Sequence, residues 1–214
     1  WVGVVTRQYL FGGAAHRATI PMEGATKLDA AIVRWLNDGV GAVPWFDKIV
    51  EVIVSDYFIP VALSFLLLGL WFGGKTSASR ELHQRAILAA LLGVAFGNLV
   101  VQIIGTFAYR DRPYITESLE LLFYQPTDSS FPANPVVVGT AIAAGLWRAN
   151  HYLGAVAYLL AGLWGVSRVY AGVAFPTDII AGAVIGQGTV MGAAWLLHKI
   201  EPLPTMIIQF ARRL

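Results

Sequence analysis

The chain has 214 residues, of which 57% are hydrophobic and only 13% are charged, and its formal net charge is +2. Soluble domains carry about 25% charged residues, so this composition is typical of a membrane protein. The small, dispersed positive charge argues against binding to nucleic acid. The absence of cysteine excludes disulfides and thiolate metal sites, and we predict neither a cofactor nor any other metal site.

The first part of the chain is predicted from weak signals. Residues 1–26 show no decisive pattern and are predicted to be an N-terminal extension of unknown role. The chain starts with Trp1 and has no clean signal peptide, so we expect residues to be missing or processed there. Residues 28–39 have apolar side chains at helical spacing together with Asp29, Arg34 and Asp38. They predict either an interfacial amphipathic helix or a polar-faced helix that packs on the bundle.

Five later segments are long and apolar enough to cross a bilayer, for which about 20 residues are needed. They are residues 57–74 (with a helix start expected near Phe46), 86–107, 129–147, 149–167 and 179–198. Residues 201–214 are predicted to be a short amphipathic tail on the membrane surface. The sequence therefore predicts an all-α membrane protein, a six-helix bundle of five spanning helices and one N-terminal amphipathic helix, with its membrane domain in residues 27–200.

The last span contains two pairs of glycines with the spacing of tight helix–helix contacts. These pairs are Gly182/Gly186 and Gly188/Gly192. We favour packing within the bundle over an interface with a partner protein.

Lysine and arginine are distributed unequally between the two sides of these spans. One side carries seven basic residues: Lys75, Arg80, Arg85, Arg148, Lys199, Arg212 and Arg213. The other carries three: Arg110, Arg112 and Arg168. Because cytoplasmic loops are enriched in basic residues, the richer side is predicted to be cytoplasmic.

Polar segments on the poorer side adjoin predicted helix ends: "YRDRPY" (109–114), "DSSFPANP" (128–135) and "SRVYAGVAFPTD" (167–178). Asn134 suits an N-cap and Pro135 the first helical position after it. Pro176 suits the same position in the last span, which would place Asp178 in its first turn. Helix N-termini and arginines both favour anions, so these segments predict a phosphate cradle. In the alternative, the arginines reach to lipid headgroups and Asp178 caps its helix or pairs with Arg168.

In their order and residue types, these segments resemble the motifs of the type-2 phosphatidic acid phosphatases, especially their bacterial undecaprenyl-diphosphate phosphatase branch. The family pattern is a lysine, six residues and Arg-Pro; later Pro-Ser-Gly-His or Pro-Ser-Asp-His; later Ser-Arg, five residues, His, three residues and Asp. Arg112-Pro113 matches the end of the first motif, "SFPANP" matches the second in frame and "SRVYAGVAFPTD" matches the third in frame. Residues 28–71 also resemble the N-terminal region of that branch, and the resemblance extends over roughly residues 27–200.

The chain departs from the family at the reacting positions. The resemblance implies a nucleophilic histidine at the position of Ala174, an acid histidine at that of Pro135 and a phosphate-binding lysine at that of Gly105. It implies phosphate binding by Arg112, Ser167 and Arg168, to which the neighbouring Arg110 is added, and an orienting role for Asp178. We therefore predict a phosphate or lipid-headgroup site made of these five residues, with no catalytic residue.

No histidine is predicted to replace the missing ones. His83, His151 and His198 fall at the cytoplasmic ends of spans, across about 30 Å of hydrocarbon. His16 has no predicted place. We predict a catalytically inactive phosphatase-like protein of the bacterial plasma membrane with its site on the extracytoplasmic side. Its predicted partners are other membrane subunits and membrane lipids, with binding of a lipid phosphate left open. The alternative is an active undecaprenyl-diphosphate or other lipid phosphate phosphatase with a non-standard nucleophile such as Asp178.

Overall fold

The structure, a computed structural model, describes residues 23–211, and it gives side-chain surroundings for residues 27–208. The predicted extension up to residue 22, His16, Arg212 and Arg213 lie outside the described residues. Within the described range the chain is helical, without strands. The helices are α1 (Glu23–Asn37), α2 (Pro44–Val54), α3 (Phe58–Phe72), α4 (Ser77–Phe107), α5 (Pro113–Thr116), α6 (Asn134–Ala149), α7 (His151–Tyr170), α8 (Pro176–Lys199) and α9 (Leu203–Ala211).

The central helix of the bundle is α6, which packs against α4, α7 and α8. Ten of its 16 residues are buried. Small residues allow this close approach: a Cβ atom at Gly186 of α8 would lie 2.4 Å from the Val137 carbonyl oxygen of α6. Gly186 is therefore a contact residue of the bundle itself.

Four of the five predicted spans are long and apolar enough to cross a membrane, if α2 and α3 count together. Within the described part of the chain α4, α7 and α8 meet this criterion singly, and α2 and α3 meet it as a bent pair. The remaining predicted span, residues 129–147, contains only the 16-residue helix α6. Residues 128–133 form a loop at the site instead of extending the helix.

The prediction of one helix from near Phe46 to residue 74 was wrong, because α2 and α3 meet at an angle of 54°. Ser55 lies at the break. Its hydroxyl donates to the Val52 carbonyl at 2.6 Å and accepts from the Phe58 amide at 3.3 Å. Such local hydrogen bonds compete with the helical pattern. Pro60 has no N–H group and is tolerated only in the first turn of a helix, and α3 accordingly begins at Phe58.

Helix α1 packs on the bundle, which supports the second of the two predicted arrangements. It buries Asp29, Val33 and Asn37, four residues apart, against α7 and α8. Trp35 on the opposite face is 73% exposed. The helix thus brings an acidic side chain into the interior at the end of the bundle where the predicted site lies.

The two glycine pairs of α8 differ in their surroundings. Gly182 and Gly186 are buried against α6, as expected for packing within the bundle. Gly188 and Gly192 are exposed, and a Cβ at either would meet nothing within 4 Å. The second pair therefore lies on the outer surface of the described bundle.

The bundle has two ends that differ in their polar residues. The site end contains Arg110, Arg112, Arg168 and Asp178. The basic end contains the start of α4 and the ends of α6 and α8, with Arg85, Arg148 and His198. Helix α9 follows at the basic end, where it packs on α4 and buries Ile208.

Candidate functional site

Asp178 lies at the centre of the site end, fully buried in the first turn of α8 as predicted. Its Oδ1 accepts from Arg110 Nη1 at 2.6 Å. Its Oδ2 accepts from the Ser130 hydroxyl at 2.5 Å and from the Phe175 backbone N–H at 3.0 Å. Of the two structural roles predicted for Asp178, helix capping is present, because Oδ2 accepts from the N–H of the N-cap residue Phe175. Pairing with Arg168 is not present, because Arg110 occupies that place. Helix α8 does begin at Pro176.

Arg110 lies between two buried carboxylates. Besides Asp178, its guanidinium donates to Asp29 Oδ2 at 2.7 Å and to the Thr177 hydroxyl at 2.7 Å. It also stacks on the Phe175 ring, 4.1 Å from the centroid. We call Asp29, Arg110, Ser130, Thr177 and Asp178 the Arg110 cluster. The cluster thus contains two acids and one cation.

Asp29 belongs to this site although sequence reasoning did not select it. Its Oδ1 accepts from the Thr177 N–H at 3.1 Å, and its Oδ2 accepts from the Thr177 hydroxyl at 2.5 Å. A signal was present, since Asp29 shares the face of Val33 and Asn37 at four-residue spacing. An acid on the apolar face of an amphipathic helix indicates a buried partner.

Arg112 is 7% exposed and is held mainly by the loops on either side. Its Nη1 donates to the Val173 carbonyl at 2.6 Å, and its Nη2 donates to Asp128 Oδ1 at 2.8 Å. Its Nε donates to the Asp128 carbonyl at 3.1 Å. The predicted phosphate-binding fork of Arg112 is thus engaged by the protein itself.

Arg168 is 4% exposed and pairs with Asp56 from the break between α2 and α3. The phenol of Tyr124 also donates to Asp56, at 2.8 Å. Burial, and then the hydrogen bond to Asp56, raise the pKa of Tyr124, so this phenol stays protonated and remains a donor. Arg112 is near enough to Arg168 for their like charges to interact. We call Asp56, Arg112, Tyr124, Asp128 and Arg168 the Arg168 cluster.

One donor of the Arg168 cluster is unused: the buried Nε atom of Arg168 has no partner among the described residues. The two carboxylates of this cluster are accessible, with side chains that are 39% exposed at Asp56 and 70% exposed at Asp128. The cluster is therefore balanced in charge, but its acids are not enclosed.

The remaining predicted binding residue, Ser167, contacts its own helix. Its hydroxyl donates to the Trp164 carbonyl at 2.8 Å and is buried. The structure brings Arg110 and Asp178 together, and Arg112 with Arg168, but not all five predicted residues around one opening.

The three positions that depart from the family pattern have different surroundings. Ala174 is 1% exposed. Helix α6 begins at Asn134, so the predicted N-cap was wrong by one residue: Ala133 is the cap and Pro135 lies one position further into the first turn. A Cβ at Gly105 would meet nothing within 4 Å. Gly105 lines a cavity of about 530 Å³ together with Asp128 and Ser129.

No histidine among the described residues lies at the site end. His83 is in the second turn of α4, His151 begins α7, and His198 is in the last turn of α8. Their places at the opposite end agree with the prediction.

Comparison with known proteins gives matches over most of the chain. The family model described as the PAP2 superfamily matches residues 86–201. The chain is 26% identical over 137 residues to undecaprenyl-diphosphatase BcrC of Bacillus subtilis (strain 168), covering 64% of this chain and 67% of that protein.

Two solved structures have a similar fold. The PAP2 type phosphatidylglycerolphosphate phosphatase from Bacillus subtilis matches with a TM-score of 0.60 and 23% identity, covering 84% of this chain and 89% of that one. Aquifex aeolicus LpxE matches with a TM-score of 0.58 and 26% identity, covering 78% and 94%. These matches agree with an all-helical bacterial membrane protein.

Proposed function

The chain belongs to the PAP2 superfamily, and from this premise we propose that it is a catalytically inactive member that serves as a scaffold or accessory subunit of a membrane complex. Its site end would face the extracytoplasmic side, as the distribution of basic residues predicts. The relatives include an undecaprenyl-diphosphatase, so under this proposal the chain differs from that relative in having no enzymatic activity.

One observation carries the proposal: each arginine of the site is neutralised by an aspartate of the same chain. Arg110 pairs with Asp29 and Asp178, Arg112 with Asp128, and Arg168 with Asp56. A phosphate entering the Arg110 cluster would meet two carboxylates for one guanidinium. In addition, both oxygens of Asp178 accept hydrogen bonds, which opposes its use as a substitute nucleophile.

The demands of the reaction also favour inactivity. Phosphate-monoester hydrolysis requires up to about 10²¹-fold acceleration. Sites of another class that lose their reacting side chains retain only about 10³–10⁴-fold. Where the family pattern has histidines this chain has Ala174 and Pro135, and no described histidine is near.

A scaffold role is supported by the outer face of α8. Gly188 and Gly192 leave open space on that face, and their neighbours Val184 and Trp195 are 66% and 63% exposed. Small residues at this spacing let a second helix approach closely within a membrane. The proposed partner is therefore a transmembrane helix of another subunit.

The first experiment is gentle extraction of native membranes, native-gel separation and mass spectrometry of what migrates with this chain. We expect a defined set of membrane proteins. The double variant Gly188→Leu/Gly192→Leu should release them. Gly162→Leu is the matched control, because Gly162 is also exposed, on α7, with open space around it. Migration of the wild-type chain alone would contradict the scaffold role.

A second candidate, binding of a lipid phosphate without turnover, is favoured by the unused Nε of Arg168. Rotation of the accessible carboxylates of Asp56 and Asp128 into water would release the Nη2 donors of Arg168 and Arg112 for a phosphate, beside the unused Nε. Under this proposal Arg112→Gln/Arg168→Gln removes a stoichiometric lipid phosphate from the purified protein. Unchanged lipid retention in a folded double variant contradicts it.

Activity itself is tested by phosphate release from a polyprenyl diphosphate. We expect none above background. Release that disappears in Asp178→Asn, with an unchanged gel-filtration profile, would overturn inactivity and establish a phosphatase with a non-standard nucleophile.

A further inference from the structure

A second cavity lies at the basic end, remote from the site described above. Its volume is about 440 Å³, within the usual range of small-molecule sites. It is enclosed by α4, α6, α8 and the start of α9, and its lining includes Arg85, Arg148 and His198. The walls between these polar groups are apolar and include Ala86, Ala89 and Leu197.

The two arginines that line this cavity differ in their pairing. Arg85 is engaged: it pairs with Glu81 at 3.0 Å and with Glu201, and it donates to the Thr205 hydroxyl at 2.8 Å. Its role is to fix the start of α9 against α4. Arg148, in contrast, takes part in no ion pair and no side-chain hydrogen bond with the described residues. No carboxylate is among the residues that line the cavity.

The exposed aromatic side chains at this end of the bundle are typical of the membrane–water boundary. Trp147 and Tyr152 flank the turn between α6 and α7 and are 43% and 85% exposed. Trp195, near the end of α8, is 63% exposed. Exposed tryptophan and tyrosine at helix ends are typical of the headgroup level of a bilayer.

We propose that this cavity binds the headgroup phosphate of an anionic phospholipid, with Arg148 as the main cation. The guanidinium of Arg148 would hold phosphate oxygens, and the apolar walls would receive the glycerol and the first carbons of an acyl chain. Basic pockets between membrane helices are suited to such headgroups. The proposal is independent of the function proposed for the site end.

The test uses the full-length protein in detergent, exchanged into mixed micelles of phosphatidylglycerol and phosphatidylcholine, with native mass spectrometry of retained lipid. Wild-type protein should retain phosphatidylglycerol over phosphatidylcholine. Arg148→Gln should lower its retention about tenfold, the scale of one charge-assisted hydrogen bond. Arg148→Lys, which keeps the charge, should retain most of it. Arg148 is exposed, so neither change perturbs the core.

Lys199→Gln is the matched control, because it removes a positive charge at the same end but outside the cavity lining, where Lys199 lies over the Trp195 ring. It should leave retention unchanged. Equal losses in Lys199→Gln and Arg148→Gln would overturn the proposal in favour of general surface charge. Equal retention of the two lipids by the wild type would overturn it too. Displacement of the lipid by inorganic phosphate, but not by chloride at equal ionic strength, would identify a site for free phosphate and overturn the lipid assignment.

Discussion

Arg110 and Asp178 form the ion pair that fastens the segment after α4 to the first turn of α8, with Nη1 and Oδ1 2.6 Å apart. Asp178 is fully buried, and the side chain of Arg110 is 20% exposed. Breaking a buried pair leaves an uncompensated charge, which is more damaging than replacing both partners. The pair therefore gives the site end a structural role that does not depend on any substrate.

Asp178→Asn should lower the free energy of unfolding by about 2–4 kcal/mol. The loss should be smaller than for a cation left without any partner, because Arg110 still pairs with Asp29. The measurement is thermal unfolding in detergent. Asp128→Asn is the control, since its side chain is 70% exposed and its pair with Arg112 should contribute no more than about 1 kcal/mol. Equal shifts in the two variants would contradict a special role for the buried pair.

Asp29→Ala should loosen α1 from the bundle, because it removes the ion pair with Arg110 and both hydrogen bonds from Thr177. We expect the amides of α1 to lose protection in hydrogen exchange while those of α6 keep theirs. Asp38→Ala, a change at an exposed acid just after the same helix, should leave the exchange pattern unchanged. Protected α1 amides in Asp29→Ala would show that apolar contacts alone hold the helix.

Ala174→His, which restores the residue type implied by the family pattern, should not restore phosphate release. Ala174 is 1% exposed, so an imidazole there should destabilise the protein by about 1–3 kcal/mol. Gly105→Lys provides the contrast: its side chain would enter open space and should change stability by no more than about 0.5 kcal/mol. Thermal unfolding and a phosphate-release assay check both variants. Turnover by Ala174→His alone would mean that the other departures are immaterial.

The tie between Arg85 and Glu201 should depend on pH. The hydrogen bond from Arg85 holds the pKa of Glu201 below its ordinary value of 4.5. The ionised Glu201 therefore stabilises the folded protein at pH values above 4.5, and this stabilisation is lost as the pH falls through the lowered pKa of the folded state. The difference in melting temperature between wild type and Glu201→Gln should be present at about pH 7 and should narrow as the pH falls below 4.5. Glu51→Gln, at an exposed acid, should show no such convergence. A difference that persists at the acidic end would mean that the interaction does not require the carboxylate charge.

The sequence was sufficient for the helical class, the location of the polar end and the first turn of α8, because these follow from long apolar runs and from Pro176. It was insufficient where tertiary contacts decide. Pairing with Arg168 was one of the two structural roles predicted for Asp178, because both residues belong to one short motif, yet Arg110, 68 residues away, pairs with it. Distant pairing of this kind leaves no trace in local spacing.

Two further differences have local causes that were visible only in part. Ser55 and Asp56 interrupt the apolar run between α2 and α3, but two polar residues are a weak signal for a bend. Asparagine is a preferred N-cap residue, but the N-cap of α6 is Ala133, one residue before Asn134. The Oδ1 atom of Asn134 is buried without a partner in the described part of the chain.

The shortness of α6 has a consequence for how the protein is made. At 1.5 Å per residue, its 16 residues extend about 24 Å, less than the hydrocarbon thickness of about 30 Å. Its small, buried residues suit neighbouring helices better than lipid. During synthesis it is therefore a poor candidate to cross the bilayer by itself. Because it packs against α4, α7 and α8, we expect its stable insertion to depend on α4, which precedes it, and on α7 and α8, which are synthesised after it.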